Sequence, residues 1–563
     1  MCGIFCEFSN KNDSNSECSD CQILEKLKIN LNRRGPNKIH EENIDDIKFY
    51  GTVLHHQGLE PTIQPVVTEN FVLLFNGDLF MDLQLDGQSD TDYLKSLLEE
   101  VKDENSLKKI FESLRGPYSL ILYHKKWKKL YFARDPMGRN SLIIGKINDK
   151  VIISSICCYD LADFCMEVPP IGLFSVNLAE NGDFSVFPWY ETTSHEFYQE
   201  QIDVFNTKLK QNLTVFDEKK IILPWLECLE VENFTLNDFL DFPSAENVPE
   251  SIEKNCKNFL KALSKSVQER VTLTTENCKK CYNQNTICSH CRIGILFSGG
   301  LDCSILAILA DKHVPKSQPI DLFNVAFEKI RKNSSQSINW DVPDRLTAKE
   351  TLKELREIRP ERLWNLVEVN VTREELNFEL KTHLRDIISP SKNILDESLG
   401  AALWFAARGK GILDENPYES TCRVLLVGSG ADELFGGYSR HRNAFKRAEN
   451  PEISLENELN LDWIRLPNRN LARDDRVISD NSATPRAPYL QEDVIQFVRS
   501  LKASQRCNLK LEGGVGDKMF LRLCAQSLGL RRCCFFKKRA LQFGSRIADS
   551  RQKGDAVSSF FQE

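Results

Sequence analysis

The sequence lacks the features that would place it in a membrane or on a nucleic acid. No run in the 563-residue chain stays apolar for the roughly 20 residues a membrane span needs, so an integral membrane protein is not expected. Basic residues do not prevail either, since 73 Lys and Arg against 81 Asp and Glu leave a formal net charge of −8. With no basic block to override that balance, neither nucleic acid nor an anionic membrane surface is an expected partner; small molecules and proteins are. Residues Met1 to Asn10 hold neither a positively charged segment nor an apolar one, so no secretory leader is expected. The 19 cysteines are then expected as free thiols, metal ligands or catalytic groups in a reducing compartment, the cytoplasm first, and not as disulfides.

What is present is an ordinary globular composition, 41% hydrophobic and 27% charged, in a chain long enough for two to four domains at roughly 150 residues each. Residues 1–190 read as short strands between turn signals, at Phe71–Phe75, Ser119–Tyr123, Lys129–Arg134 and Val151–Ser155, interrupted by a helix near Cys21–Leu31. That pattern predicts an α+β sheet domain. Residues 191–250 are polar and acidic, with Pro243 and Pro249, and read as a connector. Over residues 251–563, long helical stretches alternate with apolar strands at Ile293–Phe297, Phe323–Phe327, Leu366–Val371 and Val424–Val427. Such alternation predicts βαβ crossovers and a parallel sheet.

Three groups of residues carry chemistry. Cys2 follows the initiator Met1; once that methionine is removed, the α-amine of Cys2 can act as base for its own thiol, an N-terminal nucleophile arrangement. Phe75-Asn76-Gly77-Asp78 ends an apolar strand. Asn76 and the Gly77 N–H fit an oxyanion hole for amide hydrolysis, and they also fit a strand entering an Asn-Gly hairpin turn. In the second group, the strand Ile293–Phe297 runs into Ser298-Gly299-Gly300-Leu301-Asp302-Cys303-Ser304 and a helix. A strand, a glycine pair and a helix N-terminus in that order direct backbone N–H groups at an anion, and the absence of Gly-Lys-Ser/Thr excludes a Walker A loop. The third group is Cys278-Lys279-Lys280-Cys281 with Cys288-Ser289-His290-Cys291, an insertion over residues 278–291. Two Cys-x-x-Cys pairs suit a structural Zn²⁺ on Cys278, Cys281, Cys288 and Cys291; a metal-free cysteine-rich insertion is the other reading. Cys18-x-x-Cys21 repeats the spacing with no second pair to complete four ligands.

Cys2-Gly3-Ile4-Phe5, Arg34-Gly35-Pro36, Phe75-Asn76-Gly77 and Ser89-Asp90-Thr91-Asp92 together resemble a class II glutamine amidotransferase domain. Ser298-Gly299-Gly300-Leu301-Asp302 and Gly428-Ser429-Gly430-Ala431-Asp432-Glu433-Leu434-Phe435-Gly436-Gly437-Tyr438 resemble the synthetase domain of glutamine-dependent asparagine synthetase. The stretch from Lys537 to Ala548 is similar to the divergent asparagine synthetase domain-containing branch of that family. The resemblance implies an N-terminal nucleophile sandwich followed by an ATP-pyrophosphatase-type α/β domain, and a two-step reaction. Glutamine would be hydrolysed at Cys2, with Asn76 and Gly77 as oxyanion donors and with Asp90 and Asp78 on the substrate, and ammonia would cross an internal tunnel. At the second site ATP and Mg²⁺ would adenylate the β-carboxylate of aspartate, or another carboxylate, before ammonia displaces AMP. The same resemblance puts Phe297, Ser298, Gly299, Gly300, Asp302, Ser304, Val325, Gly428 and Asp432 on ATP and its pyrophosphate. It also implies Mg²⁺ on Asp302 and Asp432, and Lys538 as the catalytic lysine.

The departures from the family are chemical ones. Where the family has a Glu between two glycines the chain has Ser429, and a serine cannot replace an anionic base. The family's Arg for the glutamine carboxylate falls on Val53 in an ungapped alignment anchored on Gln64-Pro65, with His55 and His56 close by. Cys303 stands for a Ser, and Gln491 for an Asp. The expectation is therefore a glutamine-dependent, ATP-consuming, amide-forming enzyme, with a degenerate binding or scaffold protein as the alternative.

Overall fold

Alternate residues of the strand Gly3–Ser9 face different cores. Ile4, Cys6 and Phe8 enter one buried cluster, while Phe5 packs with Leu27 and Leu31 of the helix Ser19–Arg34. That period of two is what a strand covered on both faces requires. The structure is a computed structural model, described for residues 2–9, 19–80, 87–179, 182–189, 196–216, 221, 223, 225, 227–243, 247–281, 288–329, 338–548 and 554–561. Cys18 and the side chain of Cys21 lie outside the described residues.

The N-terminal part is a sandwich of two sheets. One sheet has six strands in the order Cys165–Glu167, Ile143–Ile147, Lys150–Ser154, Gly3–Ser9, Ile47–Val53 and Lys38–Ile44. The other has seven, in the order Thr214–Val215, Phe184–Pro188, Gly172–Asn177, Lys129–Arg134, Tyr118–His124, Phe71–Gly77 and Val66–Val67. Val72, Leu74, Ile121, Phe132 and Phe174 of the second sheet meet Ile4, Phe49 and Ile144 of the first, face to face as sandwich sheets pack. Leu94, Leu98, Leu107 and Phe111, from the helices Asp90–Glu99 and Glu104–Ser113, cover the outer face of the second sheet. The stretch read as a connector is shared out: Ile202, Phe205 and Leu209 of the helix Glu196–Leu209 join the sandwich core, whereas Leu236 packs into the core of the C-terminal part.

In that C-terminal part the strands Trp364–Val371, Ile320–Phe327, Ile293–Leu296, Val424–Leu426 and Thr484–Arg486 lie side by side, all parallel. An antiparallel hairpin, Lys410–Leu413 and Asn416–Glu419, extends one edge. Every residue of Ile320–Phe327 is buried, as a parallel strand with both faces covered demands. The chain builds the sheet outward in one direction from Ile293–Leu296 and then restarts on its other side at Val424–Leu426. A crevice opens beyond the carboxyl ends of strands at such a reversal, and ligands of α/β folds bind there. Among the described residues no helix is long and apolar enough to cross a membrane.

Candidate active sites and a cysteine–histidine cluster

Two loops meet at that reversal. Ile293–Leu296 delivers Phe297 and Ser298, and the helix Leu301–Asp311 starts immediately after Gly300. Gly299 has φ +75°, and a Cβ there would stand 2.5 Å from the backbone nitrogen of Ala348; only glycine lets the loop pass so close to the helix Pro343–Ile358. Val424–Leu426 delivers Gly428, Ser429 and Gly430 opposite. A Cβ on Gly428 would lie 3.2 Å from the Asp302 Cβ, so the two loops abut.

The carboxylates of Asp302 and Asp432 share a cation across this junction. Lys518 Nζ lies 2.6 Å from Asp302 Oδ2 and 2.7 Å from Asp432 Oδ1. Lys538 Nζ lies 2.5 Å from Asp432 Oδ2. Burial works to raise the pKa of Asp432, but the two ammonium groups outweigh it and hold the carboxyl well below its usual range. Burial works to lower that of Lys538, and the attraction of Asp432 and Asp302 prevails and raises it. All-oxygen donors suit a hard cation, and Asp302 Oδ1 is buried with no hydrogen-bond partner, so the pair fits Mg²⁺.

These groups open onto a cavity of about 920 Å³ lined by Phe297, Ser298, Gly300, Asp302, Val325, Gly428, Ser429, Asp432 and Lys538. Asp396, Arg473 and Asp474 line it as well. Glu433 and Asp344 are also in its lining. Glu433 accepts from the Tyr438 hydroxyl at 2.7 Å, and burial, then the neighbouring Asp432, push its pKa up. Asp344 is pushed up to about 7 by burial, and its Oδ2 has no partner. Ser304 does not belong to the lining. It is fully buried, its hydroxyl donates back to the Gly300 carbonyl at 2.6 Å, and the preceding residue on the helix, Cys303, faces the cavity instead. Lys518 was not legible in the sequence. Asp517-Lys518 after three glycines, Gly513, Gly514 and Gly516, was the available signal, and Lys518 itself has φ 53°.

In the N-terminal sandwich, Cys2 borders a cavity of about 30 Å³ with Val53, Leu54, His55, Gln64, Phe75, Gly77 and Asp90. Burial pushes the Cys2 thiol up. Asp90 starts its helix, accepts from the Thr91 N–H at 2.7 Å, and is raised to about 7 by burial and then by the charge of Asp78. Among the described residues, neither Lys nor Arg lines this cavity. His56 accepts or donates at Thr274 and Thr484, and burial holds both it and His55 below the ordinary histidine range. Asn76 lies behind the lining, fully buried, its amide donating to Ser119 Oγ at 3.3 Å, while its neighbours Phe75 and Gly77 face the cavity. Asp78, expected on the substrate, is taken up by Arg486 of the parallel sheet at 2.7 Å and by the Gln57 amide at 3.2 Å.

A third cluster sits at the amino ends of the parallel strands, ahead of Ile293–Leu296 and Val424–Leu426. The sulfurs of Cys278, Cys281 and Cys288 and a ring nitrogen of His290 are all within 4.8 Å of one another and could hold a metal ion. Cys291, the expected fourth ligand, is not among them. It sits two residues before the strand Ile293–Leu296, where its side chain takes the buried face and its thiol donates to the Ile293 carbonyl at 3.2 Å.

Comparison with known proteins agrees with this division. The asparagine synthase family matches residues 285–466, and the glutamine amidotransferase domain family matches residues 52–158. An asparagine synthetase domain-containing protein of Drosophila melanogaster is 39% identical, over 99% of this chain and 100% of its own. Asparagine synthetase domain-containing protein 1 of Mus musculus is 34% identical, over 99% of this chain and 98% of its own. The glutamine-hydrolysing asparagine synthetase of Gallus gallus is 23% identical, over 90% of this chain and 78% of its own. With an amidotransferase sandwich, a synthetase-type parallel sheet and full-length similarity to those relatives, the chain belongs to the asparagine synthetase domain-containing proteins of the asparagine synthetase family.

Proposed function

We propose that the C-terminal part forms an amide from a carboxylic acid, aspartate in the first instance, using ATP and passing through an acyl adenylate. The observation that carries this reading is the cluster of Asp302, Asp432, Lys518 and Lys538 at the junction of two glycine loops, open to the large cavity. A carboxylate is a poor electrophile until its oxygen is made part of a leaving group, and adenylation does that. The N–H groups of Ser298 to Gly300 and the N-terminus of the helix Leu301–Asp311 suit the phosphates. Asp302 and Asp432 would hold Mg²⁺, which when bound neutralises phosphate charge. Lys518 and Lys538, drawn from the carboxylates towards the phosphates, stabilise charge on the departing pyrophosphate. Glu433 lines the same cavity as Ser429 and supplies the acid–base group that Ser429 lacks.

Glutamine hydrolysis at Cys2, with Gly77 and Asp90 beside it, would supply ammonia. Asn76 joins the oxyanion donors if its amide leaves Ser119. Neither Lys nor Arg stands among the described residues lining the Cys2 cavity, which favours a second reading, a non-catalytic binding protein, because the carboxylate of free glutamine then has no basic side chain to pair with in that lining. Purified full-length protein is assayed for pyrophosphate release from ATP across a panel of carboxylic acids, with glutamine or ammonium as nitrogen source. Release with ammonium supports the synthetase reading, and release with glutamine extends it to Cys2. Silence with every acid and both nitrogen sources supports the binding protein.

A further inference from the structure

The amide chemistry leaves Cys278, Cys281, Cys288 and His290 without a role. Their ligand atoms form a compact group rather than a row, all within 4.8 Å of one another. Bonds to zinc of about 2.3 Å from sulfur and about 2.0 Å from nitrogen, at tetrahedral angles, put sulfur and nitrogen about 3.5 Å apart. His290 Nδ1 lies 3.4 Å from Cys281 Sγ and 3.7 Å from Cys278 Sγ. The Cys278 N–H donates to Cys288 Sγ at 3.4 Å, a contact that supports a thiolate. All three cysteines are free. Thiolates and an imidazole select zinc over the hard cations that carboxylates hold.

The surroundings of the cluster assign its work. Arg423 is almost fully buried just ahead of the strand Val424–Leu426, which leads into Gly428. Its guanidinium donates to the carbonyls of Asn277 at 2.9 Å, of Cys278 at 3.4 Å and of His55 at 2.7 Å. The Thr275 N–H donates to the His56 carbonyl at 2.7 Å, and the Lys279 N–H to the Thr421 carbonyl at 3.0 Å. His55 and His56 are wall residues of the Cys2 cavity. A few residues of chain thus touch the wall of the first site and the strand that feeds the second. We propose that Cys278, Cys281, Cys288 and His290 bind one structural Zn²⁺, and that this metal clamps the wall of the Cys2 cavity to the synthetase-type sheet. The clamp is independent of the amide-forming reading.

The test uses full-length protein purified without chelator. Elemental analysis should return about one zinc per chain, as a single four-ligand site requires. Cys291→Ser should keep the zinc, while His290→Ala and Cys281→Ser should lose it, and His290→Cys should retain it. If the ligand variants fail to fold, cobalt exchanged into the wild type reports directly: thiolate-to-cobalt charge-transfer bands with tetrahedral visible bands support the site. The clamp is read by hydrogen exchange, in which removal of the metal should raise the rates at the amides of Thr275 and Lys279. No zinc together with no cobalt spectrum overturns the site, as does zinc lost on Cys291→Ser and kept on His290→Ala. Zinc present with unchanged exchange at Thr275 and Lys279 overturns the clamp.

Discussion

Arg486, at the end of the last parallel strand, holds Asp78 of the N-terminal sandwich through two hydrogen bonds, Nε to Oδ2 at 2.9 Å and NH2 to Oδ1 at 2.7 Å. Both side chains are withdrawn from solvent. A carboxylate beside the glycine that borders Cys2 is therefore committed to the neighbouring domain.

Breaking that pair from one side should be costly. Asp78→Asn leaves a buried guanidinium without its counter-charge, a loss of about 3–5 kcal/mol for pairs of this kind. The double variant Asp78→Leu with Arg486→Met should recover much of it, because neither charge is then buried alone. Urea unfolding of wild type, both single variants and the double variant closes the cycle. Additive single effects would show that the two residues act independently.

Stability should fall as pH rises towards neutrality. Asp90 and Asp344 are raised to about 7 in the folded chain, so over that range the folded state holds protons that the unfolded carboxyls have released. Their contribution is complete below about pH 4, near and below the unfolded value, declines by up to about 1.4 kcal/mol per pH unit for each group, and is gone only above about pH 7, once the folded carboxyls have ionised too. Asp90→Asn should flatten its share of the descent. A parallel pH profile in wild type and Asp90→Asn, measured by denaturant unfolding, would contradict the shift.

Lys518→Met should weaken Mg²⁺-ATP binding by about 10–100-fold, the range of one hydrogen bond to a charged group at about 1.5–3 kcal/mol. Calorimetric titration of nucleotide with and without Mg²⁺ measures it. Unchanged affinity would remove Lys518 from the phosphate site.

Glu433→Gln should lower pyrophosphate release by about 10²–10⁴-fold, the usual contribution of a positioned acid or base, and leave nucleotide affinity in place. Ser429→Glu in that background should restore part of the rate. Equal release by wild type and Glu433→Gln would assign the acid–base role to another group.

The parallel sheet was legible because its strands are predominantly apolar, as burial on both faces requires, and because two of them, Ile293–Leu296 and Val424–Leu426, lead within a few residues into glycine loops. All eight expected strands form, and they lengthen most where hydrogen-bonded neighbours continue the ladder, as Phe323–Phe327 does into Ile320–Phe327. What escaped was phase. On a helix that begins at Leu301, Cys303 faces the cavity and Ser304 turns inward. The spacing Cys-x-x-Cys drew attention to Cys291, although a residue leading into a buried strand is already claimed by the core and leaves His290 for the cluster. Lys518 lies far along the chain from both carboxylates, and no local pattern reports a contact made by folding alone.

The boundary between sandwich and parallel sheet is stitched with charges that have left water: Arg34 with Asp475 at 3.0 Å, Arg139 with Glu492 at 2.7 Å, and Asp78 with Arg486 at 2.7 Å. Separation would strand both signs of charge on surfaces shaped for one another. Neither half can come apart and remain itself, so the chain should melt as one cooperative body, with a single calorimetric transition spanning both halves. Expressing either half alone would then yield a species that seeks the other, and co-expressed halves should assemble without a covalent link.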